Sequence, residues 1–201
     1  MALPQSEQLP SPIGPIIGRD RLIDQAIDLL VAGETRLITL AGPGGIGKTR
    51  LAIAIAHRLM QEREVAVSLV PLDAVAEPGE LAAAIARTVG LSDQIEDVET
   101  ALIRYLAAET RAFILDSFEQ VMPAVPTLNL LLTSCPGIQV MVTTREAPLH
   151  LTGERVLEVE PLGYPGRPRW RTDRSDQAVF QPSSSFSSAL LPCGGANPEA
   201  R

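Results

Sequence analysis

One stretch constrains the fold of this chain more than any other feature: residues 37–52, LITLAGPGGIGKTRLA. Its β-favouring apolar start runs into Gly42-Pro43-Gly44-Gly45-Ile46-Gly47-Lys48-Thr49, and an alanine- and leucine-rich helical pattern follows at once. This is the phosphate-binding pattern G-x-x-x-x-G-K-[ST] in the setting it requires, strand before and helix after. Glycines allow positive φ, so successive backbone N–H groups can face one centre and wrap a β-phosphate. The first turn of the following helix adds unpaired N–H groups and the positive end of its dipole. Lys48 is expected to reach the β- and γ-phosphates, and the Thr49 hydroxyl to ligate Mg²⁺. With Arg50 next in line, residues 42–50 form the expected nucleotide cradle. Among the 17 lysines and arginines of the chain, Lys48 is the lone lysine. Arginine serves wherever generic positive charge is enough, and a compact ammonium stands where it must fit among phosphate oxygens.

With 201 residues, 45% of them hydrophobic and 20% charged, the chain can bury a full core and is expected to form one globular domain. No apolar run approaches membrane-spanning length, and the start MALPQSEQLPSP lacks the basic-then-apolar order of a signal peptide. A cytoplasmic location away from membranes is therefore expected. Cys135 and Cys193 have no metal-ligand spacing, so reduced thiols are the expectation. A net charge of -7 argues against direct DNA binding by this chain.

Taken in order, residues 1–15 are proline-rich and polar and read as a flexible leader. An amphipathic helix follows, with Leu22, Ile23, Ala26, Ile27 and Leu30 on one stripe and Gly33 as its stop. The helix after the phosphate loop should run over 48–63, with Leu51, Ile55 and Leu59 facing a sheet. His57 lies on it without a partner at metal or triad spacing. Residues 65–72 read as a buried strand, 78–90 as a helix opened by Pro78 and closed by Gly90, and 95–109 as another amphipathic helix. The segment RAFILD, 111–116, is an apolar strand ending in one aspartate, the form of a Walker B element that delivers Asp116 to the Mg²⁺ shell. Ser117 follows where many ATPases carry a water-activating glutamate. Glu119 is the nearest carboxylate, able to act through water, and slow hydrolysis is expected. Residues 121–133 read as a helix broken or displaced by Pro123 and Pro126. A fourth strand over 138–143 leads to Arg145, which is either structural or positioned to touch a γ-phosphate. Residues 155–162 alternate as an edge strand does.

The segments Ile17-Gly18-Arg19-Asp20, GPGGIGKTRLA, FILDSFEQV, VMVTTRE and GERVLEVEPL, in this order and spacing, resemble the nucleotide-binding core of STAND-class signal-transduction ATPases. These are relatives of NB-ARC and AAA-like proteins, and the resemblance is strongest to the cores found in bacterial LuxR-type and SARP-type transcriptional regulators. It covers roughly residues 14–162. It implies a three-layer α/β fold with a five-stranded, mainly parallel sheet in the order 5-1-4-3-2, helices on both faces, and ATP or ADP with Mg²⁺ as ligand. It also implies Ile17, Gly18 and Arg19 beside the adenine, Asp116 as the Walker B acid and Arg145 as the γ-phosphate sensor. Relatives commonly carry Asn where this chain has Ser117.

The expected organisation is thus a leader over 1–15, a nucleotide-binding domain over 16–162 and a low-order tail over 163–201. That tail holds six serines, as many as the rest of the chain, and lacks helical periodicity where relatives continue into a helical subdomain. A frame-shifted reading and a natural disordered tail both fit it. The function expected is a slowly hydrolysing ATP-binding switch, a truncated piece of a larger regulator with nucleotide-dependent self-association. The alternatives are a P-loop kinase or ATPase of metabolism or transport, and a fragment that binds nucleotide without hydrolysing it.

Overall fold

A computed structural model describes residues 9–11, 14, 16–75, 77–91 and 96–162. The expectations for most of the leader, for the tail over 163–201 and for Cys193 lie outside the described residues.

Helix α1, Asp20–Val31, opens with an acid in its first turn and buries Ala26, Ile27 and Leu30. Gly33 turns the chain at φ 71° into β1, Leu37–Ala41, every residue of which is buried. Helix α2, Lys48–Glu62, buries Leu51, Ala52, Ile55, Ala56 and Leu59 along one face. Strand β2, Ala66–Pro71, is followed by a 3-10 turn, Pro78–Glu80, and by α3, Leu81–Thr88. Helix α4 occupies Val98–Leu106, shorter than the periodicity over 95–109 predicts. Asp97 caps it by accepting the N–H of Thr100 at 3.1 Å, which fixes where the helix begins. Strand β3 is Arg111–Asp116.

The proline-bearing segment resolves into two pieces. A 3-10 stretch, Phe118–Ala124, kinks at Val121 (φ -125°, ψ 30°), and α5 then runs over Val125–Ser134. Pro126 falls in the first turn of α5, where a missing N–H costs nothing. Strand β4, Ile138–Thr144, and a short β5, Glu154–Glu158, complete the sheet.

The five strands lie in the order β2-β3-β4-β1-β5, every pairing parallel, as the resemblance implies. Strands of such a sheet are apolar on both faces because helices cover both. On one side Ile38, Leu40, Ala112, Ile114 and Met141 pack with α1 and α2 residues. On the other, Leu37, Phe113, Leu115, Val140 and Val142 pack with α3, α4 and α5 residues. Burying both faces holds the frame rigid, and it brings the carboxyl ends of β3, β4 and β1 side by side, the edge where α/β sheets bind ligands. No helix among the described residues is long and apolar enough to cross a membrane.

Candidate nucleotide site

The β1–α2 junction fixes the centre of the site. A Cβ on Gly42 would lie 2.6 Å from the backbone oxygen of Val159, so the approach of the chain leaving β5 admits only glycine there. Gly45 (φ 72°) and Gly47 (φ 93°) adopt left-handed conformations that curl the loop. Gly47 precedes α2 and supplies no side-chain cap, which leaves the helix's first N–H groups for another acceptor. Lys48 is buried, and its Nζ folds back to donate to the carbonyls of Gly42 at 2.7 Å and Pro43 at 3.0 Å. Burial pushes its pKa below the ordinary lysine value. Glu119 opposes that shift, Arg145 adds to it and Asp116 opposes it. Lys48 thus lies within the field of Glu119, Arg145 and Asp116 together.

Asp116 reaches the loop from the end of β3. Its Oδ1 accepts the Thr49 hydroxyl at 2.7 Å and the Thr143 hydroxyl at 2.5 Å. Thr143 also accepts the backbone N–H of Ser117 at 3.0 Å, which pins Ser117 in a left-handed conformation (φ 63°, ψ 45°). Sequence reasoning passed over Thr143. The signal it left is the hydroxyl run Thr143-Thr144 at the carboxyl end of a strand, directly before Arg145.

Arg145 and Glu119, predicted separately, form a pair. Arg145 Nε lies 3.0 Å from Glu119 Oε1, and its backbone N–H donates to Oε2 at 3.3 Å. The guanidinium lies over the loop: a Cβ on Gly44 would be 3.2 Å from its Cζ. A cleft of about 530 Å³ opens beside it, lined by Pro43, Arg145, Val156, Glu158 and Glu160 among others.

Ile17 and Arg19 line a separate hollow of about 240 Å³ with Ile46, Gly47, Arg50, Leu51 and Leu162. Arg19 is buried, and its Nη2 donates to the Glu160 carbonyl at 2.5 Å. Gly18 lies at φ 73°, and a Cβ there would crowd the Leu162 side chain at 3.2 Å. The hollow adjoins Gly47 at the foot of α2, beside the loop. His57, by contrast, contacts the Pro10 carbonyl at 3.1 Å and takes no part in the site. Cys135 is buried, and burial raises its thiol pKa.

This arrangement fits an anionic nucleotide with a divalent cation. A glycine loop, an uncapped helix start and a buried ammonium suit phosphate oxygens. No cluster of three or more His, Cys, Asp or Glu among the described residues could hold a metal by itself. A hydroxyl and one carboxylate suit Mg²⁺, which keeps water and phosphate oxygens as its other ligands.

The NB-ARC domain model matches residues 19–162. A Mycobacterium tuberculosis protein named as an HTH-type transcriptional regulator is 38% identical over 123 residues, which cover 60% of this chain and 14% of that protein. The regulatory protein AfsR of Streptomyces griseus is 28% identical over 170 residues, covering 77% of this chain and 17% of its own length. The chain therefore spans under a fifth of the length of these regulators. Among solved structures, Cdc6p of Pyrobaculum aerophilum superposes with a TM-score of 0.60 at 16% identity, over 76% of this chain and 48% of that one. A structure of Drosophila ORC bound to DNA gives 0.55 at 15% identity, over 72% and 43%. At such identities the likeness concerns the fold alone.

Proposed function

This chain belongs to the NB-ARC family of P-loop nucleotide-binding domains, and from that premise we propose that it is an ATP-binding switch with slow turnover, working within a transcriptional regulator. The observation that carries this reading is the bond of the Thr49 hydroxyl to Asp116 at 2.7 Å, next in sequence to Lys48, whose ammonium folds over the glycine loop onto the Gly42 carbonyl. Residues 42–50 cradle the phosphates, Lys48 contacts the β- and γ-phosphates, and Thr49 and Asp116 hold the metal shell. Arg145 senses the γ-phosphate, while Ile17, Gly18 and Arg19 border the base. Bound Mg²⁺, held through Thr49 and Asp116, would supply neutralisation of the phosphate charge.

Slow turnover follows from this chain's own residues. Ser117 supplies no carboxylate next to Asp116, and Glu119, the nearest alternative base, is occupied by Arg145. A general base acts only within hydrogen-bond reach of its proton, directly or through one water. A domain that binds tightly and turns over slowly holds one arrangement until the γ-phosphate leaves, and that property suits a switch. The names and lengths of the regulators similar to this chain support a role as one module of a longer protein, with residues 16–162 as the nucleotide-binding unit. DNA contact belongs to other modules, in keeping with the net charge of -7. Self-association that depends on nucleotide is part of the same proposal.

The test is titration of the chain with ATP and ADP, with and without Mg²⁺, alongside Lys48→Ala, and measurement of turnover. Loss of affinity in the variant and slow turnover in the parent are expected. Binding that ignores the substitution overturns the reading, and rapid turnover points instead to a metabolic P-loop enzyme.

A further inference from the structure

We infer that Glu119 is a specificity-determining positioning residue: by holding Arg145 it sets how strongly the site prefers a nucleoside triphosphate over a diphosphate. The inference rests on the nucleotide-binding reading and deepens it.

The pair is unequal. The Glu119 side chain is 13% exposed, whereas that of Arg145 is 64% exposed. Glu119 sits in the 3-10 stretch between fully buried Phe118 and Val121, and the preceding Ser117 N–H is tied to Thr143. The acid is therefore the fixed member, and the arginine side chain is the one free to swing. Glu119 holds it at two points, Nε through Oε1 and the backbone N–H through Oε2. The main-chain bond can persist while the guanidinium lets go, so the side chain turns about an anchored backbone.

Arg145 leans over Gly44, at the mouth of the loop that holds Lys48. A γ-phosphate arriving there must compete with the Glu119 carboxylate for one guanidinium. A diphosphate, which lacks the terminal group, leaves the pair closed. Glu119 also acts through its field: its negative charge lies near Lys48 and disfavours any phosphate, the more highly charged triphosphate more, whether or not Arg145 is present. Competition for Arg145 is the part that needs the guanidinium, so it is read as the share of the preference that disappears with Arg145.

The experiment measures ATP and ADP affinities calorimetrically, in Mg²⁺, for the full chain and for Glu119→Gln, Arg145→Ala and the double variant. Glu119→Gln keeps the shape and removes the charge. The ratio of ADP to ATP dissociation constants is expected to rise about two- to five-fold, the range an exposed ion pair commands. Most of that rise is expected to disappear in the Arg145→Ala background, leaving only the share due to the field of the carboxylate. An unchanged ratio, or a rise of equal size without Arg145, overturns the inference. Should Glu119→Gln fail to fold, Glu119→Asp withdraws the carboxylate by one methylene, and the same rise and the same dependence on Arg145 decide the matter. Wild-type ATP affinity that is indifferent to Lys48→Ala marks failure of the nucleotide-binding reading itself, a result independent of the ratio.

Discussion

Thr49 and Asp116, 67 residues apart in the chain, meet at 2.7 Å between hydroxyl and carboxylate. They come from the two sides of β4, and Thr143 on that intervening strand bonds the same carboxylate oxygen at 2.5 Å. Two hydroxyl donors on one oxygen hold Asp116 in a single orientation at the sheet edge. Asp116→Asn retains an acceptor for both hydroxyls but loses the charge that favours a divalent cation. Nucleotide affinity in Mg²⁺ is expected to fall on the order of 10–100-fold, as metal sites do when a supporting group is changed. Affinity in EDTA should change little. Calorimetry under both conditions checks this, and an equal loss in both would remove Asp116 from the metal shell.

Thr143 and Ser117 make a second prediction, one of stability. Thr143→Val preserves the shape of the residue and strips the Ser117 N–H of its partner, an unsatisfied donor worth about 1–3 kcal/mol. Ser117→Asn acts in the other direction. Left-handed backbone costs an ordinary L-residue roughly 1–2 kcal/mol and suits Asn better, so a gain of about 0.5–1 kcal/mol is expected. Urea unfolding of the two variants measures both signs.

The legible parts of this protein are those written in local pattern. The run from Leu37 to Lys48 announces strand, glycine loop and helix, and the structure places them so. Asp116 was legible because an apolar strand ends on it, and Arg145 because a charged residue stops β4. The strand order was legible only through the resemblance, since periodicity within a strand does not encode its neighbours. The Thr143 bond to Asp116 and the Glu119–Arg145 pair each join residues from different elements, so no local spacing reveals them. The left-handed turn at Ser117 was equally hidden, because serine carries no signal for positive φ. Periodicity over 95–109 overstates the length of α4, whereas the capping rule applied to Asp97 gives its start.

The loop glycines are predicted to differ in what they tolerate. Gly42→Ala drives a Cβ to 2.6 Å from the Val159 carbonyl, a backbone atom that cannot step aside without displacing the end of β5. Gly45→Ala meets nothing within 4 Å among the described residues, and its φ of 72° costs roughly 1–2 kcal/mol. Thermal unfolding of the nucleotide-free variants should therefore rank Gly42→Ala well below Gly45→Ala, with Gly45→Ala still folded. An equal loss for both would mean that φ alone, and not the contact with Val159, dictates glycine at position 42.

Lys48 gives the last prediction, a dependence on pH. Burial lowers its pKa below 10.5, so the folded, nucleotide-free protein surrenders this proton before the unfolded chain does. Between the lowered value and 10.5 the unfolded state binds more protons, and by linkage stability rises with pH across that window relative to Lys48→Met. Nucleotide affinity must run the other way. Phosphate oxygens favour the ammonium, so binding holds constant near neutrality and then weakens, by up to about tenfold per pH unit, once pH passes the lowered pKa. Within the window binding takes up a proton, which calorimetry detects as a heat that varies with the ionisation enthalpy of the buffer. Lys48→Arg keeps its charge throughout and should bind more weakly but without this pH dependence. An alkaline decline of equal slope in Lys48→Arg would assign the titration to another group and take the ammonium away from the phosphates.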